Sequence, residues 1–528
     1  MMPKHRLLAI GLDGFELDVA EPFLKAGDLP NLAKLKTQSA HYALDHGRDR
    51  FSGLAWEHIS SGRSPRDGGR WSAIDFDSRR YLVRQKPGVE SPFMGKLSAR
   101  TVVFDLPYCD LSQAPSVRGV TAWGAHDPGI AAACRPDGIH DELGRLFGPY
   151  PATEWIYGFC WPSAEKARAA GTALAQAVEV RTRATQWLLK DRLPDWDLAI
   201  VVVSECHSAI EPLWHGVDSK HPLHGIESAG PSSDALRKVY IAIDKLLGEL
   251  QASFSDVTTL VFAMHGMGQN ESDVPSMVLL PELLYRSAFG APYMRPIEPW
   301  RTLPDGTPLL PENASWEDAM FQAIPVRPRS LRDRIADRLA TFAAPDSDDP
   351  AEDLSWMPAA RYAPFWPHMP AFALPAYYDG RVRINVAGRE AKGSVSPAGY
   401  SAACSKVIDL LNDCRNILTG EKVIDDIWCP KSDPRDVGPN EADIYVTWKS
   451  APLGFSHSQY GSISTVPYRR TGGHTGGHGF LYISGKGIAP TEGGLVSAFD
   501  VVPTILSLLG EANVPGISGD SLMAELTC

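Results

Sequence analysis

Acidic residues and histidines stand where several apolar stretches of the sequence end. They are Asp13 after LLAIGL, Glu205, His207 and Glu211 after LAIVVV, His265 at the end of TTLVFAMH, and His474 shortly before GFLYIS. Asp, Glu and His are the usual protein ligands of borderline divalent metal ions. Each residue taken alone also fits a structural role, such as a turn at Asp13. Taken as a set, they predict a metal-dependent site.

The apolar stretches themselves are typical of strands in a mostly parallel sheet. LAIVVVSEC begins with a continuous apolar run, as expected for a strand covered on both faces. Segments with helical periodicity separate the strands, and they are LPNLAKLKTQSA, SAEKARAAGTALAQAVEVRTRATQWLLKD, SDALRKVYIAIDKLLGELQASF and SAFDVVPTILSLLG. In an open α/β sheet, ligands bind beyond the carboxyl ends of the strands. The residues of the candidate site are therefore expected to meet at one edge.

Residues 275–400 differ from the rest of the chain. They are rich in Pro, Trp and Arg, as in PYMRPIEPW and RYAPFWPHMPAF, and they lack the rhythm of strand and helix. We interpret them as an inserted cap region with some helices, such as SLRDRIADRLATFA. The core is then expected to consist of residues 1–270 and 400–528.

Composition and charge limit the classes of partner. The formal net charge of −12 argues against a nucleic-acid surface, because binding to a phosphate backbone requires an excess of Lys and Arg. It is compatible with a small phosphorylated substrate, since a metal ion supplies local positive charge. The start MMPKHRLLAIGLDG lacks the apolar region of a signal peptide, and no stretch approaches the roughly 18 apolar residues that span a membrane. With eight scattered cysteines and no CxxC pair, the expectation is a cytoplasmic protein with free thiols and no membrane partner.

Three further segments carry a resemblance to a known family. AIGLDG followed by LPNLAKL resembles the opening of the alkaline phosphatase superfamily, in its type I phosphodiesterase/nucleotide pyrophosphatase branch. SGLAWEHISSGRSP resembles the nucleophile segment of that branch, with Ser52 at the nucleophile and Trp56 at the aromatic position. LVSAFDVVPTILSLLG and VPGISGDSL resemble its closing segment. The resemblance implies a three-layer α/β/α sandwich with a mostly parallel central sheet and an inserted cap region.

The resemblance also implies the chemistry. The family uses two divalent metal ions, for which zinc is the expectation here and manganese or another divalent ion the alternative. Asp13 and Ser52 would bind the same ion, and Ser52 would form a phospho-enzyme intermediate that is then hydrolysed. Ser52 has a structural alternative, because a serine here could cap the helix that follows.

The second metal pair departs from the family pattern. His207 and Glu211 stand where the branch usually has Asp and His, which is an exchanged but still competent ligand pair. ECHSAIEPLWHGVDSKHP also resembles an ExHxxxHxxWHxxDxxHP pattern of bacterial members, with Glu211 in place of the second His. A third ligand is implied shortly before the strand GFLYIS, where His474 fits the spacing better than His478.

The other departure is Met264. The branch usually has DHG at the end of this strand, and both its Asp and its His bind the first metal. Here Met264 replaces the acid and His265 alone is kept, and a thioether is a poor ligand for zinc, manganese or calcium. We hypothesise that Glu205, at the end of the neighbouring strand, supplies the missing carboxylate, although side-chain alternation could equally turn it elsewhere.

The expected function is that of a metal-dependent hydrolase of phosphate esters, acting on phosphodiester or pyrophosphate bonds through Ser52. The alternatives are a sulfate or phosphonate ester hydrolase, a phosphoryl transferase, or a non-catalytic binding protein whose metal site is depleted. GLAW after Ser52 does not match the x-Pro-x-Arg that a sulfatase requires. Aromatic and arginine residues of 275–400 are expected to select the substrate. The loop WGAHDP carries His126 and Asp127, which either contact substrate or, as we favour, serve the structure.

Overall fold

The computed structural model describes residues 6–86, 90–158, 161–297, 299–326, 352–354, 356–511 and 514–523. The chain divides into two compact units. The sheet unit comprises Met1–Trp71, Gly88–Asn270 and Arg470–Cys528. The inserted unit comprises Ser72–Pro87 and Glu271–Arg469.

A nine-stranded sheet organises the sheet unit. Its strands lie in the spatial order Thr491–Ser497, Ala40–Asp45, His478–Ser484, Thr258–His265, Leu7–Leu12, Leu198–Val203, Thr101–Phe104, Arg118–Thr121 and Ala133–Arg135. Only His478–Ser484 and Ala133–Arg135 run against their neighbours, so the sheet is mostly parallel. Every residue of the central strands Leu7–Leu12 and Leu198–Val203 is buried, as expected for strands covered on both faces.

Helices flank this sheet. The α-helices are Leu17–Lys25, Pro30–Gln38, Ala55–Ser61, Pro65–Gly68, Ile139–Phe147, Ala164–Trp187, Glu205–Leu213, Ala229–Ser253 and Val501–Leu509. The two longest pack closely because Gly171 faces Ala235, where an added Cβ would lie 2.4 Å from the Ala235 Cβ. The shorter helical turns are Gly47–Ser52, Phe93–Lys96, Thr153–Trp155, Leu188–Arg192, Trp214–Gly216, Pro222–Gly225 and Ala498–Asp500. A small ladder pairs Gly268–Gln269 with Gly472–Gly473.

This architecture confirms the predicted fold class. The strands expected in LLAIGL, TVVF, LAIVVV, TTLVFAMH and GFLYIS are all present in one sheet. The last helix of the sheet unit ends before Gly510, whose left-handed φ of 67° makes it the expected C-cap. No helix in the described ranges is long and apolar enough to cross a membrane.

The inserted unit is built from short antiparallel strands. A four-stranded sheet has the order Ala371–Leu374, Gly380–Ile384, Ile444–Trp448 and Ile424–Trp428. Smaller sheets contain Ile74–Asp77, Leu82–Gln85 and Glu352–Asp353; Arg301–Thr302 and Pro308–Leu309; and Arg415–Asn416, Phe455–His457 and Gly461–Ile463. Its helical segments are Pro275–Leu279, Leu280–Phe289, Trp316–Ala323, Pro358–His368, Pro397–Gly399, Tyr400–Asn412 and Pro434–Asp436.

The boundaries of this unit differ from the predicted ones. The chain returns to the sheet unit at Arg470, whereas the sequence placed the return near residue 400, and the segment Ser72–Pro87 belongs to the inserted unit as well. Tyr400–Asn412 and the strands that follow it pair within the inserted unit, because strands of five residues in an antiparallel sheet leave no rhythm of strand and helix. The helix expected in SLRDRIADRLATFA lies outside the described residues.

Candidate metal centre

The carboxyl edge of the sheet collects the predicted polar residues. Asp13 follows Leu7–Leu12 directly, and its N–H donates to the Val203 carbonyl at 3.0 Å. His265 is the last residue of its strand. His474 lies in the loop before His478–Ser484, and since that strand runs against its neighbours, its start lies at the same edge. The sheet topology thus explains why residues distant in sequence meet here.

Side-chain contacts join four of these residues in one line. Asp13 Oδ2 lies 2.9 Å from His207 Nδ1. His207 Nε2 lies 3.1 Å from His474 Nε2, and His474 Nδ1 lies 2.5 Å from His265 Nε2. The carboxylate of Asp13 fixes the proton of His207 on Nδ1, so the lone pair of His207 is on Nε2, facing His474.

Glu211 completes this group from the same helix as His207. It lies one helical turn further on, with Oε1 at 3.4 Å from His207 Nε2 and 3.9 Å from His474 Nε2. Its other oxygen, Oε2, accepts a hydrogen bond from the Arg470 guanidinium. Glu211 therefore presents Oε1 to His207 and His474, while a buried arginine holds Oε2, which also lies 3.7 Å from His126 Nε2.

Glycines allow the close approach of these segments. Gly14 has a φ of 68°, and an added Cβ would lie 2.6 Å from the His207 Cα, so a side chain here would push Asp13 away from His207. Gly472 is equally constrained, because an added Cβ would lie 2.5 Å from the Ile210 carbonyl oxygen. The glycine-rich TGGHTGG therefore serves to bring His474 against the helix Glu205–Leu213.

Burial sets the charge of the histidines. Burial, together with the nearby charge of Arg50, lowers the pKa of His265 to about 4. Burial also lowers the pKa of His474 well below its usual range, and His207 adds to the effect. Both imidazoles are therefore neutral at pH 7, which is the form that binds metal ions.

The donor set fits a divalent metal ion. His126, His207 and Glu211 each offer one ligand atom, and these three atoms all lie within 4.8 Å of one another. His207 and Glu211 also face His474, and Asp13 holds His207 in the orientation that metal-bound histidines need. Neutral imidazoles combined with carboxylates suit zinc and similar borderline ions.

Ser52 lies buried at the end of the turn Gly47–Ser52. Gly53 follows with a left-handed φ of 73°, and the Leu54 N–H donates to Ser52 Oγ at 3.1 Å. The Trp56 ring lies against the first strand, since a Cβ on Gly11 would be 2.5 Å from it. Ser52 Oγ thus accepts a backbone hydrogen bond from two residues further on, which leaves its hydroxyl proton for another partner. It does not cap the helix that follows, because the N-cap of Ala55–Ser61 is Leu54 and has no side-chain hydrogen bond.

Glu205 does not join the histidines. Both of its oxygens accept hydrogen bonds from Arg181 Nε, at 2.9 and 3.0 Å, and Tyr150 donates to Oε1 at 3.2 Å. Arg181 Nη1 in turn donates to Asp105 at 2.8 Å. The expectation that Glu205 supplies the carboxylate missing at position 264 is therefore corrected, because the residue begins a helix and its side chain turns to Arg181. Met264 itself is buried in its strand.

The sequence interpretation missed His46 and His58, and it favoured a structural role for His126. His126 stacks on His207 with ring centres 3.8 Å apart. His46 Nε2 lies 3.0 Å from His58 Nδ1, and the His46 ring centre is 5.7 Å from that of His265. His46 directly follows the strand Ala40–Asp45. It therefore lies at a strand end, as the predicted site residues do. That strand, AHYALD, is too polar to stand out in the sequence.

Comparisons with known proteins identify similar solved structures. No protein-family model and no curated protein matches the chain. A quadruple mutant of alkaline phosphatase PafA is 12% identical over 99% of both chains, with a TM-score of 0.50. Human ectonucleotide pyrophosphatase/phosphodiesterase 5 is 10% identical over 99% of this chain and 98% of its own, with a TM-score of 0.45. Phosphonoacetate hydrolase from Sinorhizobium meliloti 1021 is 13% identical over 97% and 96%, with a TM-score of 0.44.

At 12% identity, the similarity to PafA concerns the fold. It extends over 99% of both chains, and it agrees with the mostly parallel nine-stranded sheet and its flanking helices. The chain therefore shares its fold with alkaline phosphatase PafA.

Proposed function

We propose that this protein is a metal-dependent hydrolase of phosphate esters. The observation that carries the proposal is the line of contacts from Asp13 through His207 and His474 to His265, at the carboxyl edge of a sheet with this fold. These side chains are buried, and burial keeps His265 and His474 neutral. They are thus ready to bind cations without first losing a proton to solvent.

We propose two ligand groups, on the family resemblance and on the contacts of His207 with Glu211 and His474. The proposed ligands of one ion are Asp13, Ser52 and His265, and those of the other are His207, Glu211 and His474. When bound, two divalent ions would stabilise negative charge on the phosphoryl oxygens and favour the deprotonated form of Ser52. Zinc is the preferred metal because the donors are rich in imidazole nitrogen, with manganese or another divalent ion as the alternative.

Ser52 is the proposed nucleophile. Its Oγ would lose a proton and form a bond to phosphorus, while the leaving group departs with the electron pair of the broken ester bond and is protonated by water. A water molecule would then break the Oγ–P bond, which releases phosphate or a phosphomonoester and restores the hydroxyl. The Leu54 N–H, 3.1 Å from Oγ, orients the nucleophile and stabilises negative charge on it.

Phosphodiester or pyrophosphate bonds are the proposed targets, on the strength of the resemblance of SGLAWEHISSGRSP to the phosphodiesterase branch. The substrate would be a small phosphorylated molecule, selected by residues of 275–400. Hydrolysis of phosphonate or sulfate esters and phosphoryl transfer to an alcohol are the nearest alternatives within the same fold.

A second candidate function is binding without catalysis. It is favoured by Met264, which is buried in its strand where the resembling branch keeps an acid. It is also favoured by Arg470, whose guanidinium contacts Glu211 and competes with a cation for that carboxylate.

Activity assays separate these candidates. The metal-loaded protein would be assayed with zinc or manganese on a phosphodiester, a phosphomonoester, a phosphonate ester and a sulfate ester, alongside Ser52→Ala. The exposed serine variant Ser116→Ala serves as the matched control. We expect metal-dependent turnover of the diester that Ser52→Ala loses by at least a thousandfold and Ser116→Ala keeps. If no ester is turned over, or if Ser52→Ala retains full activity, the proposal is wrong.

We also propose that the protein works in the cytoplasm. The described free cysteines, which fit a reducing compartment, are Cys109, Cys134, Cys206, Cys404, Cys414 and Cys429. Fluorescence microscopy of a tagged chain in its native cell tests this, and export from the cytoplasm would contradict it.

A further inference from the structure

We infer that His126 is a ligand of the ion held by His207 and Glu211, and that Ser208 positions it. This inference rests on the proposed function and adds a residue that neither the family resemblance nor the strand-end pattern assigned. It makes the donor set of this ion three imidazoles and one carboxylate: His126, His207, His474 and Glu211.

The position of His126 follows from the sheet. It lies in the loop after the strand Arg118–Thr121, two strands beyond Leu198–Val203, and therefore at the same carboxyl edge. Its side chain is 1% exposed. Its ring stacks on that of His207 at a centre distance of 3.8 Å and an angle of 24°. Burial of a polar histidine ring costs solvation free energy unless the ring has specific partners, so this position favours a residue with a specific role.

Hydrogen bonds around Ser208 determine which nitrogen of His126 carries the proton. The Ser208 hydroxyl donates to the Ile156 carbonyl at 3.1 Å, so it can only accept from its other neighbour. That neighbour is His126 Nδ1, at 3.0 Å, which must therefore be the protonated nitrogen. The lone pair of the neutral ring is then on Nε2, as a metal ligand requires.

The lone pair of His126 lies on the side of the proposed ion. His126 Nε2 is 3.7 Å from Glu211 Oε2, and the ligand atoms of His126, His207 and Glu211 all lie within 4.8 Å of one another. Donor atoms around a tetrahedral zinc ion are about 3.4 Å apart, given zinc–nitrogen distances of about 2.1 Å. Small side-chain adjustments are therefore enough to close the three donors around an ion.

One helix supplies most of this arrangement. Within Glu205–Leu213, His207 and Glu211 are separated by one turn and point to the same side, and Ser208 stands beside them to hold His126. Asp13 orients His207 in the same way as Ser208 orients His126, because each accepts a hydrogen bond from the Nδ1 atom of its histidine. Arg470 holds the second oxygen of Glu211. His126, His207 and Glu211 thus each have a hydrogen-bond partner that orients the side chain.

The donor set carries a consequence for metal choice. Three imidazoles and a single carboxylate favour zinc, cobalt, nickel or copper over magnesium, manganese or calcium, which prefer oxygen ligands. Cobalt can therefore be used as a spectroscopic probe of this site.

Metal binding, measured without reference to activity, tests the role of His126. The full-length chain, stripped of metal with a chelator, would be titrated with Co²⁺ by visible absorption and with Zn²⁺ against a chromophoric chelator. The variants are His126→Gln and His126→Ala, with His368→Ala, an exposed histidine of the inserted unit, as the matched control. We expect both His126 variants to weaken Zn²⁺ affinity by at least tenfold and to change the Co²⁺ spectrum, and His368→Ala to change neither.

Ser208 variants test its positioning role. Ser208→Ala removes the acceptor for His126 Nδ1, so we expect about a tenfold loss of Zn²⁺ affinity. Ser208→Thr keeps the hydroxyl and is expected to stay within about twofold of the wild type. A loss in Ser208→Thr equal to that in Ser208→Ala would overturn the positioning role.

The outcomes separate this inference from the proposed function. If His126→Gln, folded by circular dichroism, binds Zn²⁺ and Co²⁺ as the wild type does while His207→Ala loses one of the two ions, the role of His126 is overturned and the proposed function stands. If the wild-type chain binds neither ion, both are overturned.

Discussion

Two buried polar clusters lie at neighbouring strand ends of the sheet unit. One is an ion-pair cluster, whereas the other consists mainly of histidines that contact one another. In the first, Asp105 and Glu205 flank Arg181, and Asp105 also accepts hydrogen bonds from the Trp123 and Gly124 N–H groups at 2.6 and 2.9 Å. In the second, histidines contact one another, and the Nδ1 atom of His265 has no hydrogen-bond partner among the described residues.

This difference underlies our proposal that the first cluster serves the fold and the second binds a ligand. The charge of the buried Arg181 guanidinium and its hydrogen bonds are satisfied within the protein, by two carboxylates and the Gly124 carbonyl. Burial raises the pKa of Glu205, and Arg181 opposes this shift, as expected for an ion pair. A group of neutral imidazoles has lone pairs to offer and little positive charge, which is what a divalent cation requires.

The largest effect is expected from breaking the ion-pair cluster. Arg181→Ala leaves Asp105 and Glu205 buried without their cation, so we expect a loss of about 3–5 kcal/mol in the free energy of unfolding. Chemical denaturation measures it, with Arg168→Ala, an exposed arginine of the same helix, as the control. Equal stability of the two variants would show that the ion pairs contribute little.

The second effect concerns the histidine cluster. Zinc that binds only the folded chain is expected to stabilise the wild type by about 2.7 kcal/mol for one site at a hundredfold excess over its dissociation constant. The double variant His207→Ala/His474→Ala should lose this gain, whereas Arg168→Ala should keep it. Thermal denaturation with and without zinc measures the shift, and an equal shift in the double variant would place the bound zinc elsewhere.

A third effect comes from a buried histidine that lies outside the candidate metal centre. His215 has hydrogen-bond partners at both ring nitrogens, Thr471 at 3.4 Å and Ser228 at 3.1 Å. Burial lowers its pKa to about 3, with His221 and His224 adding to the shift. Because its folded pKa lies below its unfolded value of about 6.5, the unfolded state binds more protons, and stability falls as the pH drops below that value.

His215→Gln should therefore lose part of the acid sensitivity. Between pH 7 and pH 5, His215 is expected to cost the wild type about 2 kcal/mol of stability, and the metal-free variant should lose about that much less over the same range. Urea denaturation at the two pH values measures the difference. An identical pH dependence of the two proteins would contradict the assignment of a neutral His215.

The smallest effect on zinc binding is expected at Glu205. Because this residue pairs with Arg181, Glu205→Gln should leave zinc affinity within about twofold of the wild type, while it lowers stability by about 1–3 kcal/mol. Zinc titration of the folded variant checks this. A tenfold or greater loss of affinity would return Glu205 to the ligand set and would remove the distinction between the two clusters.

Much of the fold could be predicted because buried parallel strands leave long apolar runs. In LAIVVV and TTLVFAMH the end of the apolar run shows where the strand ends, and a sheet of this class brings the strand ends to one edge. The meeting of Asp13, His207, Glu211, His265 and His474 followed from that rule together with the family resemblance. Their roles as metal ligands stay a prediction until binding is measured.

The errors arose where a neighbour from a distant segment decides the outcome. The direction of Glu205 depends on Arg181, 24 residues upstream on another helix, and no local pattern in the sequence marks that pairing. His126 depends in the same way on Ser208, 82 residues further on. The return to the sheet unit at Arg470 was misplaced because short antiparallel strands carry too little periodicity to distinguish the two units.

Metal content per chain tests the central claim most directly. The wild type and the double variant His207→Ala/His474→Ala, each folded by circular dichroism, would be equilibrated with zinc, freed of excess ion and analysed by mass spectrometry of the elements. The account predicts two tightly held ions in the wild type and the loss of at least one in the variant. Fewer than two ions in the folded wild type, or an equal content in the variant, would contradict it.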